Sequence, residues 1–326
     1  MKRRDFVTLL GGAATWPFAA RARQPAMPVI GFLHLGSPEP NAKRVTAFRE
    51  GLSETGHVEK RNVTIEFRWA NGQLDRLPEL AADLIRRRVA VIATPISTEA
   101  ALAAKAATTT IPIVFAIGGD PVAIGLVASL NRPGGNATGI NLQNVDLTAK
   151  RFELLHELVP KGARFAALVN SNYPLIESIV KDLQMAAANL GLEVEMLYAG
   201  NDREIDAAFA KLSQRPDSVL MIPPDSFFFN RRAQIVTLAA RHALPVIYPT
   251  NEYPVAGGLI SYGPDITHAC QQTGVYTGRI LKGEKPANLP VMQPTKFELV
   301  LNLQTARLLG ITVPPTLLAR ADEVIE

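Results

Sequence analysis

Apolar positions follow two rhythms along this chain. The run Val29-Ile30-Gly31-Phe32-Leu33 is nearly continuous, whereas Val63, Ile65 and Phe67 alternate with Thr64, Glu66 and Arg68. Alternation is the pattern of a strand with one wet face, and an unbroken run that of a parallel strand covered on both faces. Between these runs, Val45, Phe48 and Leu52 fall on one helical face and Gly56 supplies a stop signal, which predicts a helix over 41–55. The same reading predicts helices over 74–87, 98–107 and 121–130, separated by strands over 89–93 and 111–117. The pattern then restarts. Strands are expected over 165–169, 192–198, 218–222 and 244–248, with helices over 176–190, 204–212 and 230–242 between and after them.

A repeat of about 25–30 residues is the period of a right-handed strand–helix–strand unit. Two successive series predict an α/β protein of two Rossmann-like lobes, each a mostly parallel sheet wrapped by helices. The join is read near 134–139, a glycine-rich turn. The remaining elements, strands over 258–262 and 297–301 and helices over 266–281 and 304–309, are too few for a third core and are expected to complete the two sheets. That requires about three crossings, near 139–145, 252–258 and 286–296. The expected domains are residues 28–140 plus 254–288 for the N-terminal lobe, and 141–253 plus 289–326 for the C-terminal lobe. Short connections between two lobes make a hinge, and hinged lobes close around ligands.

Composition narrows the class. The chain has 326 residues, 47% of them hydrophobic, which suits two medium domains and excludes global disorder. No apolar run reaches the roughly 18–20 residues a bilayer requires. The N-terminus begins Lys2-Arg3-Arg4, continues through an uncharged stretch from Phe6 to Ala20 and ends Ala20-Arg21-Ala22. A basic start, a short apolar middle and a small-x-small end describe a secretory signal, and Arg3-Arg4 followed by Phe6 resembles the twin-arginine type. Residues 1–22 are therefore expected to be an export signal, the alternative being an amphipathic anchor, and the mature protein to be periplasmic. No cysteine lies near the cleavage point, so a lipoprotein is not expected. Cleavage after Ala22 removes four positive charges and one negative, and the formal charge falls from +4 to +1. The electrostatic case for a nucleic-acid partner falls with it. The single cysteine, Cys270, excludes intramolecular disulfides and cysteine-based zinc sites.

Ligands of open α/β sheets bind beyond the carboxyl ends of the strands. Six such loops carry hydroxyls, amides and isolated acids, with no Lys or Arg. In the first series, Ser37, Ser97 and Thr98 place hydroxyls near helix starts, where free N–H groups favour an anion. Gly118-Gly119 would let backbone approach a ligand closely. Asp120-Pro121 is equally a helix cap, and Ser97 has the same alternative. In the second series, Asn172 and Tyr173 follow one strand, and Asp225 and Glu252 follow two others. These two carboxylates are expected to converge on a ligand ammonium group, the alternatives being a helix cap for Asp225 and a solvated loop acid for Glu252. Tyr173, Tyr253 and one ring of Phe227-Phe228-Phe229 are candidates for an apolar wall. No phosphate loop, zinc pair or nucleophile elbow is present. The five histidines are scattered, and only His34 falls in a cleft loop. No cofactor and no metal are expected.

Three stretches are distinctive: Pro112-Ile113-Val114-Phe115-Ala116-Ile117-Gly118-Gly119-Asp120-Pro121, continuing to Asn131-Arg132-Pro133-Gly134-Gly135-Asn136; Ala256-Gly257-Gly258-Leu259-Ile260-Ser261-Tyr262-Gly263-Pro264; and the opening Met1-Lys2-Arg3-Arg4-Asp5-Phe6. Together they resemble the substrate-binding proteins of ATP-binding-cassette importers with the type I periplasmic binding fold, in the branch that includes tryptophan- and tyrosine-type binders. The resemblance implies two lobes, three crossings and capture of a small solute, an amino acid or aromatic amino-acid-like molecule, for delivery to an inner-membrane ABC permease by a monomeric protein. It places Ser37, Ser97, Thr98, Gly119, Asp120, Asn172, Tyr173, Asp225 and Glu252 in the cleft loops. Two other readings compete: a periplasmic ligand-sensing input protein, and an enzyme on the same bilobal scaffold. The single cysteine argues against a cysteine-pair racemase, and the absence of basic residues from the six loops argues against a sugar transferase. A DNA-binding regulator would need a helix-turn-helix where the signal stands.

Overall fold

A computed structural model describes residues 27–142, 147–159, 161–173, 176–294 and 296–326. The expected export signal lies outside the described residues. The first lobe opens with β1 (Val29–His34), α1 (Ala42–Glu54), β2 (Thr64–Trp69), α2 (Leu77–Arg86), β3 (Val91–Thr94), α3 (Thr98–Ala107), β4 (Ile113–Ile117) and β5 (Ala137–Asn141). Its five strands are parallel, in the order β2-β1-β3-β4-β5. The second lobe follows with α4 (Thr148–Leu158), β6 (Arg164–Val169), α5 (Ile176–Ala188), β7 (Val194–Tyr198), α6 (Asp202–Ser213), β8 (Ser218–Met221), α7 (Ser226–Asn230), α8 (Arg232–Arg241), β9 (Val246–Tyr248), α9 (Glu252–Val255) and β10 (Ile260–Pro264). The chain returns to the first lobe for α10 (Ile266–Leu281). It ends on the second with β11 (Phe297–Asn302), α11 (Leu303–Leu308), α12 (Pro315–Leu318) and β12 (Glu323–Ile325). The second sheet has seven strands in the order β12-β11-β10-β9-β8-β6-β7, antiparallel only between β10 and β11.

The two predicted sheets are present, three local expectations are corrected and two unassigned segments are filled. Residues 121–130 are not a helix. Asp120 accepts from the Val122 N–H at 2.8 Å, and Gly125 turns the chain at φ 76°, so a single turn forms and does not propagate. The glycine-rich 134–139 stretch is not a linker, because Ala137–Asn141 adds a buried fifth strand to the first sheet. The crossing expected near 252–258 falls later: β10 pairs with β9 and β11, so residues 260–264 belong to the second sheet, and the chain leaves only between β10 and α10. Apolar periodicity sets that β10 is a strand but not which sheet receives it. Finally, α4 and β12 fill segments the periodicity left unassigned.

Helices α1 and α10 meet backbone to backbone. A Cβ on Gly51 would collide with the Gln271 carbonyl, and one on Gly274 with the Phe48 carbonyl. This crossing fixes α1 against the sheet, where Val45, Phe48 and Leu52 join Ile30, Phe32, Val91 and Tyr276 in one core. The start of α1 is thereby held at the edge of the cleft. Within the second lobe, Arg151 of α4 is wholly buried and donates from Nε to the Tyr262 carbonyl at 2.8 Å. Burial lowers its pKa to about 9, still cationic at neutral pH.

Candidate functional site

The lobes enclose a cavity of about 890 Å³, mouth included, at the carboxyl ends of both sheets. Parallel strands put these ends on one side, and most of the loops there enter helices, the one after β4 being an exception. Ile96, Gly118 and Gly119 line it from the first lobe, and Pro223, Pro224, Phe229, Pro249 and Tyr253 from the second. Of the expected residues, Thr98, Gly119, Tyr173 and Asp225 line this cavity.

The other five are not among the lining residues. Ser97 is buried, and its hydroxyl accepts from the Leu35 N–H at 3.3 Å, tying two loops of one lobe together. Ser37 donates its N–H to Asn230 Oδ1 of the other lobe at 3.4 Å. Asp120 turns back on its own loop. The Asn172 amide donates to the Gly200 carbonyl at 2.9 Å. Glu252 does not converge with Asp225 on one site. It faces Arg44 of α1, which donates from Nε to Oε1 at 3.0 Å and from Nη2 to Oε2 at 3.2 Å.

The sequence reading missed Arg44. It lies outside the six loops, but it occupies the apolar stripe of α1, four residues before Phe48, and a charge on such a stripe is a legible anomaly. Its guanidinium carbon stands 3.3 Å from the centre of the Phe229 ring. Burial of an arginine is tolerated when a planar carboxylate and an aromatic face both engage it. Arg44, Glu252 and Phe229 thus form a contact across the cleft, flanked by the bonds that Asn41 and Ser37 make to Asn230.

Glu99, in the first turn of α3, was also missed, although it follows Thr98 directly. It is buried, and Ser226 of the second lobe donates to its Oε2 at 3.3 Å. Burial, then the charge of Asp225, pushes its carboxyl up to about 7. Asp225 caps α7, accepting from the Phe228 N–H at 2.9 Å and from Asn170 Nδ2 at 2.9 Å. It is therefore both the cap and a cavity-lining acid, and burial raises its carboxyl as well. Of the three acids among the described lining residues, Glu99 and Asp225 meet from opposite lobes in a low-dielectric space, and the one arginine among those residues is already engaged by Glu252. Charge in that setting calls for a cation. Neutral donors accompany the acids. The Thr250 hydroxyl lines the cavity, is buried and has no protein partner among the described residues.

Tyr253 packs on Tyr248 with ring centres 4.6 Å apart, and only Phe229 of the Phe227–Phe229 triplet lines the cavity. His34, the cleft-loop histidine, accepts at Nδ1 from the Gly36 N–H, and burial lowers its pKa to about 3, so it is neutral. Cys270 is buried and its thiol is pushed up to about 12, which makes it unreactive. No group of acids, histidines and cysteine suited to a metal ion occurs among the described residues, and none of their helices is long and apolar enough to cross a membrane.

Two hinged α/β lobes around an acid-bearing apolar cleft define a solute-binding protein of the type I periplasmic binding fold. The chain belongs to the ABC transporter substrate binding protein family, whose model matches residues 37–325. It is similar to a tyrosine-binding protein of Clostridioides difficile, 26% identical over 270 residues, or 82% of this chain and 77% of that protein. Among solved structures it resembles an ABC domain from Streptococcus pneumoniae in complex with L-Trp, with a TM-score of 0.83 and 27% identity over 91% of this chain and 99% of that one. The ligand-free, open structure of a C. difficile substrate binding protein overlays with a TM-score of 0.65 at 25% identity, over 91% of this chain and 99% of that one. The tighter overlay is on the L-Trp complex, in keeping with lobes joined here through Arg44 and Glu252.

Proposed function

We propose that this protein captures an amine-bearing small molecule with an apolar or aromatic body, of the aromatic amino-acid class, and presents it to a membrane permease. The observation that carries the reading is the meeting of Glu99 and Asp225, from opposite lobes, in an apolar cavity whose lining arginine is already paired. A ligand ammonium neutralises these carboxyls, and it receives both only when the lobes are together, so binding shifts the hinge toward closure. The Thr98 and Thr250 hydroxyls and the Gly118-Gly119 backbone supply neutral donors for a ligand carboxylate. Phe229 and Tyr253 supply the wall. The tyrosine and L-Trp named for the two relatives support the same ligand class. In this reading the protein acts as a periplasmic monomer and without catalysis or nucleic acid, and residues 1–22 direct twin-arginine export.

The test is a thermal-shift screen of the mature protein with amino acids, aromatic amines, sugars and nucleosides. A ligand at 100 times its Kd adds about 2.7 kcal/mol to stability, a shift of several degrees. A shift confined to amine-bearing aromatics is the expected result. A shift with sugars alone overturns the ammonium assignment.

A further inference from the structure

Behind the main cavity, in the second lobe, lies a smaller recess of about 220 Å³, mouth included. The two spaces share Tyr173, Ile179, Pro223, Pro224 and Asp225, and the recess adds Val169, Asn170 and Ile176. Two polar side chains of the recess, Asn170 and Asp225, are bonded to each other. Asn170 donates from Nδ2 to Asp225 and accepts at Oδ1 from the Asn172 N–H at 3.0 Å. Beyond that pair and Tyr173, the described lining is hydrocarbon: Val169, Ile176, Ile179, Pro223 and Pro224. Tyr173 is the largest side chain on the boundary, and it lines the main cavity together with Thr98 of the first lobe.

We propose that Tyr173 is the specificity-determining partition of the site: its ring separates the main cavity from the apolar recess, and so sets how large a ring system the ligand carries. The proposal rests on the amine-and-ring reading of the cavity. With Tyr173 in place, the ligand ring ends against it; with the ring removed, the two spaces merge and admit a bicycle.

Titration calorimetry on the mature protein with L-phenylalanine, L-tryptophan, phenethylamine and tryptamine tests this. In Tyr173→Ala, the affinity ratio of two-ring to one-ring ligand is expected to rise about tenfold or more over wild type, the scale of a hydrophobic pocket's response to a change in volume. Tyr173→Phe keeps the ring and removes only the hydroxyl; the ratio is expected to stay unchanged. Tyr173→Leu repeats the Ala experiment with less disturbance of folding. An unchanged ratio in Ala and Leu, alongside binding in wild type, overturns the partition while leaving the amine reading intact. Binding of no probe by wild type or variants overturns the amine reading and the partition with it.

Discussion

Arg44 and Glu252, 208 residues apart in sequence, meet as a two-point ion pair across the cleft, with Phe229 under the guanidinium. Arg44 is nearly buried and Glu252 about a quarter exposed. Glu252→Gln leaves the arginine half-compensated and weakens the closed arrangement by roughly 1–3 kcal/mol, between the values for surface and buried pairs. The expected outcome is a larger radius of gyration in solution scattering and a matching loss of ligand affinity, with the ligand ranking unchanged. A double-mutant cycle with Arg44→Met should show strong coupling.

The acids of the cavity act differently. Glu99→Gln and Asp225→Asn each remove one partner of a buried ammonium and should weaken an amine ligand by roughly 1.5–3 kcal/mol, the range for hydrogen bonds to charged groups. Asp225→Asn also weakens the cap of α7, so its unliganded melting temperature falls, whereas that of Glu99→Gln does not. Calorimetry and thermal melts on the same samples separate the two effects.

Protonation of Glu99 gives the site a pH signature. Its carboxyl sits at about 7 in the unliganded fold against an ordinary 4.5, so between those values the folded protein holds a proton the unfolded chain has lost. Stability of the unliganded protein therefore falls as pH rises through that window, by a few kcal/mol. The raised carboxyl of Asp225 acts in the same direction. A bound ammonium favours the ionised pair, so amine affinity rises from pH 6 to 8 and the melting temperature of the complex declines less. Melts from pH 5 to 8 with and without ligand check this, and Glu99→Gln should flatten the unliganded curve.

Thr250 carries a hydroxyl that is buried without a protein partner among the described residues. Thr250→Val removes that desolvated group at nearly constant volume. Unliganded stability should stay level or rise, while affinity falls by about 1 kcal/mol, the net value of one hydrogen bond. Loss of both quantities together would show a structural role instead.

The glycine contact between α1 and α10 predicts a cost remote from the ligand. Gly274→Ala forces the helices apart against the Phe48 carbonyl and should destabilise by roughly 1–3 kcal/mol, as overpacking does. Because α1 also carries Arg44, affinity should fall as well, an effect that chemical denaturation and calorimetry report separately.

The chain itself determined the two α/β series, the loops that could hold a ligand, and several of the cavity residues, Thr98, Gly118, Gly119, Tyr173, Asp225 and Tyr253 among them. It could do so because side-chain period follows backbone geometry, and because parallel strands deliver all their carboxyl ends to one side. Tertiary structure alone decided that Glu99 rather than Glu252 joins Asp225, that Arg44 reaches the cleft from a helix, and that β10 stays with the second sheet. Each of these depends on which side chains face one another once two lobes close. Desolvation and Coulomb energy are properties of that juxtaposition, and local pattern carries no record of it.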